Sequence, residues 1–139
     1  QTGKYYNLVY PSELQAYLYV GRVNTCKAGG CSLPGVIPAP ASGEYFDYMI
    51  LFDTAASIQN VKIYNYQATY GYEVCSRGWL KQFRDYRGGK DLSVGSNIDA
   101  ISGATISAES ITFNIESVTR RLHRYLGITN NSTEKNRGE

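Results

Sequence analysis

The chain has 139 residues, of which 42% are hydrophobic and 19% charged, and its formal net charge is +2 at pH 7. This length fits one domain with its own core, and the hydrophobic share excludes disorder over the body of the chain. The charge is too small to favour nucleic acid or an anionic membrane as a partner, and no stretch approaches the roughly 20 apolar residues that span a bilayer. Tyrosine is unusually frequent, with 13 copies against 4 phenylalanines, which is typical of a sheet face or of a surface that meets partners.

The N-terminal part combines a predicted strand with a long loop. Residues 1–10 show no clear period, whereas "LQAYLYVGRV" (14–23) predicts a strand, or a short helix that runs into one. Residues 24–43 hold three of the four prolines and therefore predict a loop.

Two of the three cysteines, Cys26 and Cys31, lie in this loop. A disulfide between them would favour an extracytoplasmic setting. Three unrelated thiols, with Cys75 as the third, are the open alternative. No second cysteine pair or histidine cluster accompanies them, so the spacing does not predict a zinc site.

The middle of the chain predicts a hairpin followed by a bend and a short helix. "EYFDYMILFDT" (44–54) and "SIQNVKIYNYQ" (57–67) predict two strands, and their link is short enough for antiparallel pairing. Gly71, between two tyrosines, predicts a bend or a close approach of backbone. Residues 76–89 predict a short amphipathic helix that a glycine pair stops, with Trp79 as a core residue.

A long helix is predicted from residue 105, with Gly127 as its left-handed cap. Its apolar residues recur at steps of three and four and form one stripe: Ala108, Ile111, Ile115, Val118, Leu122 and Tyr125. Three arginines, Arg120, Arg121 and Arg124, stand at the negative end of the helix dipole. A helix that binds nucleic acid through them is disfavoured by the near-neutral net charge. Together these elements predict an α+β fold: an antiparallel sheet with hairpins, packed against one long C-terminal helix and one short helix.

The junction "IDAISGATISAES" (98–110) leads from a turn of small residues straight into the long helix. A helix start leaves backbone N–H groups unpaired, and small residues let an anion approach them. The hydroxyls of Ser102, Thr105 and Ser107 are each candidates to cap the helix, and capping is the interpretation that physical chemistry alone favours. The stretch is not a Walker loop, since no lysine follows it.

These residues carry a family resemblance. Asp99 to Thr105 match the Asp-x-x-Ser-Gly-Ala-Thr pattern of the FMN-binding domain family, which includes the covalent-flavin subunits of the sodium-pumping NADH:quinone oxidoreductase and of Rnf-type complexes. The hairpin and the segment "YGYEVCSRGWLKQFRDYRGGKDL" also resemble that family. The resemblance divides the chain into an N-terminal strand and Pro/Gly/Cys loop extension (1–43), an FMN-binding domain (44–126) and a polar tail (127–139).

The resemblance implies that FMN is joined covalently through its phosphate to Thr105 by a flavin transferase that uses FAD and magnesium. Ser102 and Ser107 would then donate hydrogen bonds to the phosphate oxygens. Gly103 and Ala104 would leave room for the transferase and the phosphate.

The resemblance also assigns the remaining candidate residues. Asp99 is expected to be recognised by the transferase or to bind its magnesium. The related subunits carry a Glu-Thr-Pro-Gly-Leu-Gly-like stretch after the hairpin, and the corresponding "QATYGYEV" keeps Thr69 and Gly71 but has no proline. Tyr70 and Tyr72 are candidates to flank the flavin ring, or else are ordinary tyrosines of a sheet surface.

The function implied is that of an extracytoplasmic flavoprotein electron carrier, rather than a stand-alone catalyst, with FMN attached by a phosphoester to a threonine. Its partners would be the flavin transferase and redox proteins, including a membrane electron-transfer complex, and not nucleic acid. It would be exported, with its signal removed, to the periplasm or cell surface. The alternative is a tyrosine-rich extracellular binding module of the same fold without flavin.

Overall fold

A computed structural model describes residues 3–25 and 43–128. Its elements are strands β1 (Lys4–Val9), β2 (Leu14–Thr25), β3 (Glu44–Phe52) and β4 (Ile58–Gln67), and helices α1 (Arg77–Leu80) and α2 (Thr105–Leu126). Two short 3₁₀ turns, Tyr72–Cys75 and Lys81–Phe83, flank α1. The strands form one antiparallel sheet in the order β1-β2-β3-β4. The predicted α+β class is confirmed.

Strand β1 lies where the sequence shows no period. It pairs with β2 along its length, with Tyr5 opposite Tyr19. Tyr5 is half-buried, whereas the other residues of β1 are exposed. An edge strand with one inward-facing contact has no alternation of apolar and polar residues to read, which is why it escaped prediction.

The β3–β4 hairpin is present as predicted and is held at its turn by one carboxylate. Oδ1 of Asp53 accepts hydrogen bonds from the amides of Ala55 and Ser57, each at 2.9 Å. The side chain of an aspartate can accept hydrogen bonds from backbone amides a few residues ahead, which have no partner strand in a turn. The carbonyl oxygen of Ala56 lies 2.8 Å from Nε2 of His123, so the turn is also tied to the last part of α2.

The core forms between α2 and one face of the sheet. Alternate residues of β3 are fully buried on that face: Phe46, Tyr48, Ile50 and Phe52. The helical stripe meets them with Ala108, Ile111, Ile115, Val118 and Leu122. Burial of each large apolar side chain contributes roughly 1.5–3 kcal/mol. The predicted stripe is one residue too long, because the Tyr125 side chain is 77% exposed. Gly127 closes α2 in the left-handed conformation (φ 70°), as predicted.

Helix α1 is shorter than the predicted helix over 76–89. Ser76 caps it by accepting a hydrogen bond from the amide of Trp79, but the helix ends at Leu80. The 3₁₀ turn Lys81–Phe83 follows, and the chain then pairs with the start of β4, since the amide of Asp85 donates to the carbonyl of Ile58 at 2.8 Å. The apolar spacing is still satisfied, because Trp79 and Phe83 reach the core. Pairing with the strand thus replaces further helical turns.

Of the cysteines, Cys75 is a half-buried free thiol. Burial raises its pKa to about 11. Cys26 and Cys31 lie outside the described residues, so their predicted pairing stays a prediction. Within the described ranges, no helix is both long and apolar enough to cross a bilayer.

Candidate functional site

A cleft of about 290 Å³ opens where the first turn of α2 meets the ends of β2 and β3. It is lined by Thr25, Glu44, Tyr70, Gly71, Gly103, Ala104, Thr105, Ile106 and Ser107. This volume lies at the lower end of the range for small-molecule sites. The cleft brings together two segments that the sequence keeps more than 30 residues apart, the Tyr70–Gly71 bend and the Gly103–Ser107 junction.

The start of α2 is not capped by a side chain. Ala104 occupies the capping position, and no side chain in the described part of the chain accepts a hydrogen bond from the amides of the first turn. The expected capping by Ser102, Thr105 or Ser107 is therefore wrong. Thr105 is instead the first helical residue, and its side chain is exposed.

The uncapped start leaves donors available at the cleft. The amides of Thr105, Ile106 and Ser107 have no acceptor among the described residues. Such groups, together with the positive end of the helix dipole, favour an anion. Gly103 precedes them with φ 81° and open space where a Cβ would stand. A side chain there would be strained by the backbone conformation and would stand in the approach to the amides.

Tyr66 connects the two segments of the cleft. Its phenol donates to the carbonyl oxygen of Tyr70 at 2.5 Å, and its oxygen lies 2.9 Å from Oγ of Ser107. A phenol has one proton, so the Ser107 hydroxyl must be the donor in the second bond. Burial raises the pKa of Tyr66 above its ordinary value, which keeps that proton in place. The hydroxyl proton of Ser107 is thus committed to Tyr66, whereas the Ser107 amide is uncommitted.

Gly71 allows this arrangement. It adopts φ 89°, and a Cβ on it would collide with Oγ of Ser107 and come within 2.8 Å of the Tyr66 phenol oxygen. The close approach predicted at this glycine is confirmed. Any larger residue would push the bend away from α2.

The opposite wall of the cleft contains Thr25 and Glu44, which sequence reasoning missed. They are direct partners across the β2–β3 ladder. Thr69, a predicted cofactor-binding residue, contacts Glu44 instead: its hydroxyl donates to Oε2 at 2.6 Å and its amide to Oε1 at 3.3 Å. Oγ1 of Thr25 is buried and has no hydrogen-bond partner among the described residues.

The other predicted residues take different places. Tyr70 lines the cleft with a side chain that is 70% exposed. Tyr72 lies outside the lining and meets the Tyr66 ring edge-on, with ring centroids 5.5 Å apart. Ser102 and Asp99 are exposed and do not line the cleft.

Asp99 is held through its backbone. Its carbonyl accepts from Nε1 of Trp79 at 2.8 Å, and its amide donates to Oε1 of Gln82 at 2.9 Å. Trp79 is a buried core residue, as predicted. Helix α1 and the 3₁₀ turn that follows it therefore hold the loop before α2 and leave the Asp99 carboxylate in solvent.

A comparison with protein families decides what kind of domain this is. The model of the FMN-binding domain matches residues 43–119, which is more than half of the chain. The chain belongs to the FMN-binding domain family. No curated protein matches the sequence. FMN is the cofactor that this membership indicates, and the matched range contains both segments that Tyr66 connects.

The residues of this FMN-binding domain fit the cofactor. The unpaired amides at the start of α2 suit a phosphate. The buried hydroxyl of Thr25 has no partner within the described residues and suits a polar ligand group. The exposed ring of Tyr70 at the cleft suits the apolar face of a flavin.

Proposed function

We propose that this domain carries FMN covalently, through a phosphoester to Thr105, and serves as an extracytoplasmic electron carrier. The observation that carries the proposal is the place of Thr105. Its exposed hydroxyl stands on a helix start with three uncommitted amides, at the edge of a cleft, and it ends the Asp99–Thr105 motif.

The attachment is a transfer of the FMN half of FAD to Thr105, catalysed by a flavin transferase. Oγ1 of Thr105 attacks the phosphorus on the FMN side of the pyrophosphate, so a Thr–O–P bond forms and the bond to the AMP half breaks. AMP leaves, and the hydroxyl proton passes to a base of the transferase. No electrons are exchanged in this step.

The chain's own residues then hold the product. The phosphodiester keeps one negative charge, which the start of α2 stabilises by about 0.3–1 kcal/mol. The amides of Ile106 and Ser107 are the donors for its oxygens, because the Ser107 hydroxyl is committed to Tyr66. FMN supplies the electron-transfer chemistry when bound, and the protein orients it.

Exchange of electrons with other proteins is supported by the position of the cleft. Tyr70 and Tyr72, beside it, are 70% and 68% exposed, so a redox partner can approach the rim through a small, short-lived interface. The proposed partners are redox proteins, including a membrane electron-transfer complex. The proposed site of action is the periplasm or cell surface, which rests on the family resemblance and on the predicted Cys26–Cys31 disulfide.

The proposal is tested by expressing the chain with and without a flavin transferase in the export compartment. Intact mass and the visible spectrum should show one FMN per chain only with the transferase. Thr105→Ala should abolish the adduct, Thr105→Ser should restore part of it, and Ser110→Ala is the control hydroxyl on the same helix. A colourless, unmodified wild-type chain in the presence of an active transferase would refute covalent attachment and favour the flavin-free binding module.

A further inference from the structure

The cleft has two chemically different walls. One is the start of α2, where backbone amides are donors and the helix dipole is positive. The other contains the carboxylate of Glu44, which can only accept hydrogen bonds. A ligand that fills the cleft therefore meets donors on one side and a charged acceptor on the other.

The carboxylate of Glu44 is held in one orientation. Thr69 donates to both of its oxygens, through its hydroxyl at 2.6 Å and its amide at 3.3 Å. Two carboxylate oxygens offer about four lone-pair positions, so this contact leaves acceptor capacity for a ligand. Thr69 thus affects the cleft by orienting the Glu44 carboxylate.

Thr25 adds a second polar group at the same place. It is the direct cross-strand partner of Glu44, so the two side chains leave the sheet on the same face. Its Oγ1 is buried without a partner among the described residues. Leaving a buried hydroxyl unpaired is unfavourable, and a hydrogen bond from a ligand would relieve this.

We propose that Glu44 and Thr25 form the subsite for the ribityl hydroxyls of FMN, with Thr69 as the positioning residue for Glu44. The inference rests on the proposed function. The phosphate is repelled by a carboxylate and attracted by the helix start, whereas the ribityl hydroxyls next to it are donors that Glu44 can accept. The polarity of the cleft thus orients the cofactor, with the ring directed to the rim at Tyr70.

This subsite extends the cofactor contacts beyond the family match. Thr25 ends β2 and lies outside residues 43–119. The N-terminal hairpin, formed by β1 and β2, would therefore contribute directly to cofactor binding as well as to the sheet.

The test compares the unfolding equilibrium of the full chain with and without attached FMN, measured by urea denaturation for each variant. A side chain that only supports the fold affects both forms equally, whereas one that contacts FMN reduces the stabilisation that loading produces. The stabilisation factor is the ratio of the unfolding equilibrium constant of the unmodified chain to that of the FMN-loaded chain. Glu44→Gln and Thr25→Val should each reduce this factor about tenfold, the typical loss for a hydrogen bond to a charged or buried group. Thr69→Val should reduce it less, since it only loosens Glu44.

Two matched variants serve as controls. Glu109→Gln removes an exposed carboxylate of α2 that does not line the cleft. Thr119→Val removes another buried hydroxyl without a partner in the described part of the chain, farther along α2. Both should leave the stabilisation factor within about twofold of wild type.

A second measurement separates Glu44 from general loosening. Removing a negative charge beside the flavin should shift the midpoint potential to more positive values in Glu44→Gln and not in Glu109→Gln.

An unchanged stabilisation factor in both Glu44→Gln and Thr25→Val would overturn the subsite, provided that their intact mass shows FMN. If the wild-type chain gains no FMN, the proposed function itself fails. If Glu44→Gln does not fold, the nearly isosteric Thr25→Val decides.

Discussion

Tyr66 and Ser107, 41 residues apart in the sequence, share a hydrogen bond of 2.9 Å at the base of the cleft. The same phenol donates to the Tyr70 carbonyl, so one hydroxyl group ties the bend at Gly71 to the first turn of α2. The Tyr66 ring also stacks on Phe46, with centroids 5.1 Å apart and planes 16° from parallel. The geometry of the cleft thus depends on a side chain that does not itself line it.

Tyr66→Phe should destabilise the unmodified domain by about 1–2 kcal/mol, because it keeps the stacked ring but leaves the Ser107 hydroxyl and the Tyr70 carbonyl without their partner. Urea denaturation measures this loss. Tyr64→Phe, two residues earlier, is the control and should cost less than about 0.5 kcal/mol. Combined with Ser107→Ala, the losses should be less than additive; strict additivity would show that the two hydroxyls act independently.

Gly71→Ala should be more harmful than a change at another glycine of the same conformation. Gly71 and Gly95 both have φ 89°, but a Cβ finds open space at Gly95 and a clash at Gly71. The backbone strain of about 1–2 kcal/mol applies to both, and displacing Ser107 should add about 1–3 kcal/mol at Gly71 alone. Equal midpoints for the two variants in thermal unfolding would contradict the close packing at the bend.

Ala104→Ser should stabilise the unmodified domain by about 0.5–1 kcal/mol, because it supplies the missing cap of α2. The same hydroxyl would occupy an amide that we assign to the phosphate, so loading with FMN should become slower. Thermal unfolding and the time course of intact mass measure the two effects. Ala100→Ser, exposed in the same loop, is the control; faster loading of Ala104→Ser would argue against phosphate binding at these amides.

The stability of the domain should fall as the pH rises from about 9 to about 11, through Cys75 among other groups. Its thiol has a folded pKa of about 11, above the unfolded value of about 8.5. In this window the unfolded chain has lost the proton that the folded chain still holds, so deprotonation favours unfolding. Thermal unfolding against pH should show a smaller decline in Cys75→Ala than in wild type. Parallel curves would mean that the thiol is better solvated than its burial indicates.

The hairpin of β3 and β4 and the long helix α2 could be predicted because their apolar residues follow a strand period and a helix period over many residues. The place of Tyr66 could not. Strict alternation puts Tyr66 on the same face as Tyr64, but the register with β3 shifts beyond Tyr64, and Asn65 has φ 50°. This bulge turns Tyr66 to the helix side of the sheet.

The two walls of the cleft also differ in whether the sequence could predict them. The wall from α2 carries a motif of neighbouring residues, so it was visible in the sequence. Thr25 and Glu44 meet only through the register of two strands that are separated in the sequence by residues 26–43, and no local pattern marks that pairing. The composition places Thr25 in the predicted loop over residues 24–43, whereas Thr25 ends β2.

The family match begins at residue 43, next to the first residue of β3. Within the sheet, β3 has β4 on one side and β2 on the other, where nine residue pairs join it to β2. A chain that lacks residues 1–42 but keeps all of α2 would make β3 an unprotected edge of hydrophobic residues, which invites strand pairing between molecules. We expect such a chain to self-associate in light scattering while the full chain does not, so the N-terminal hairpin also protects the domain from aggregation.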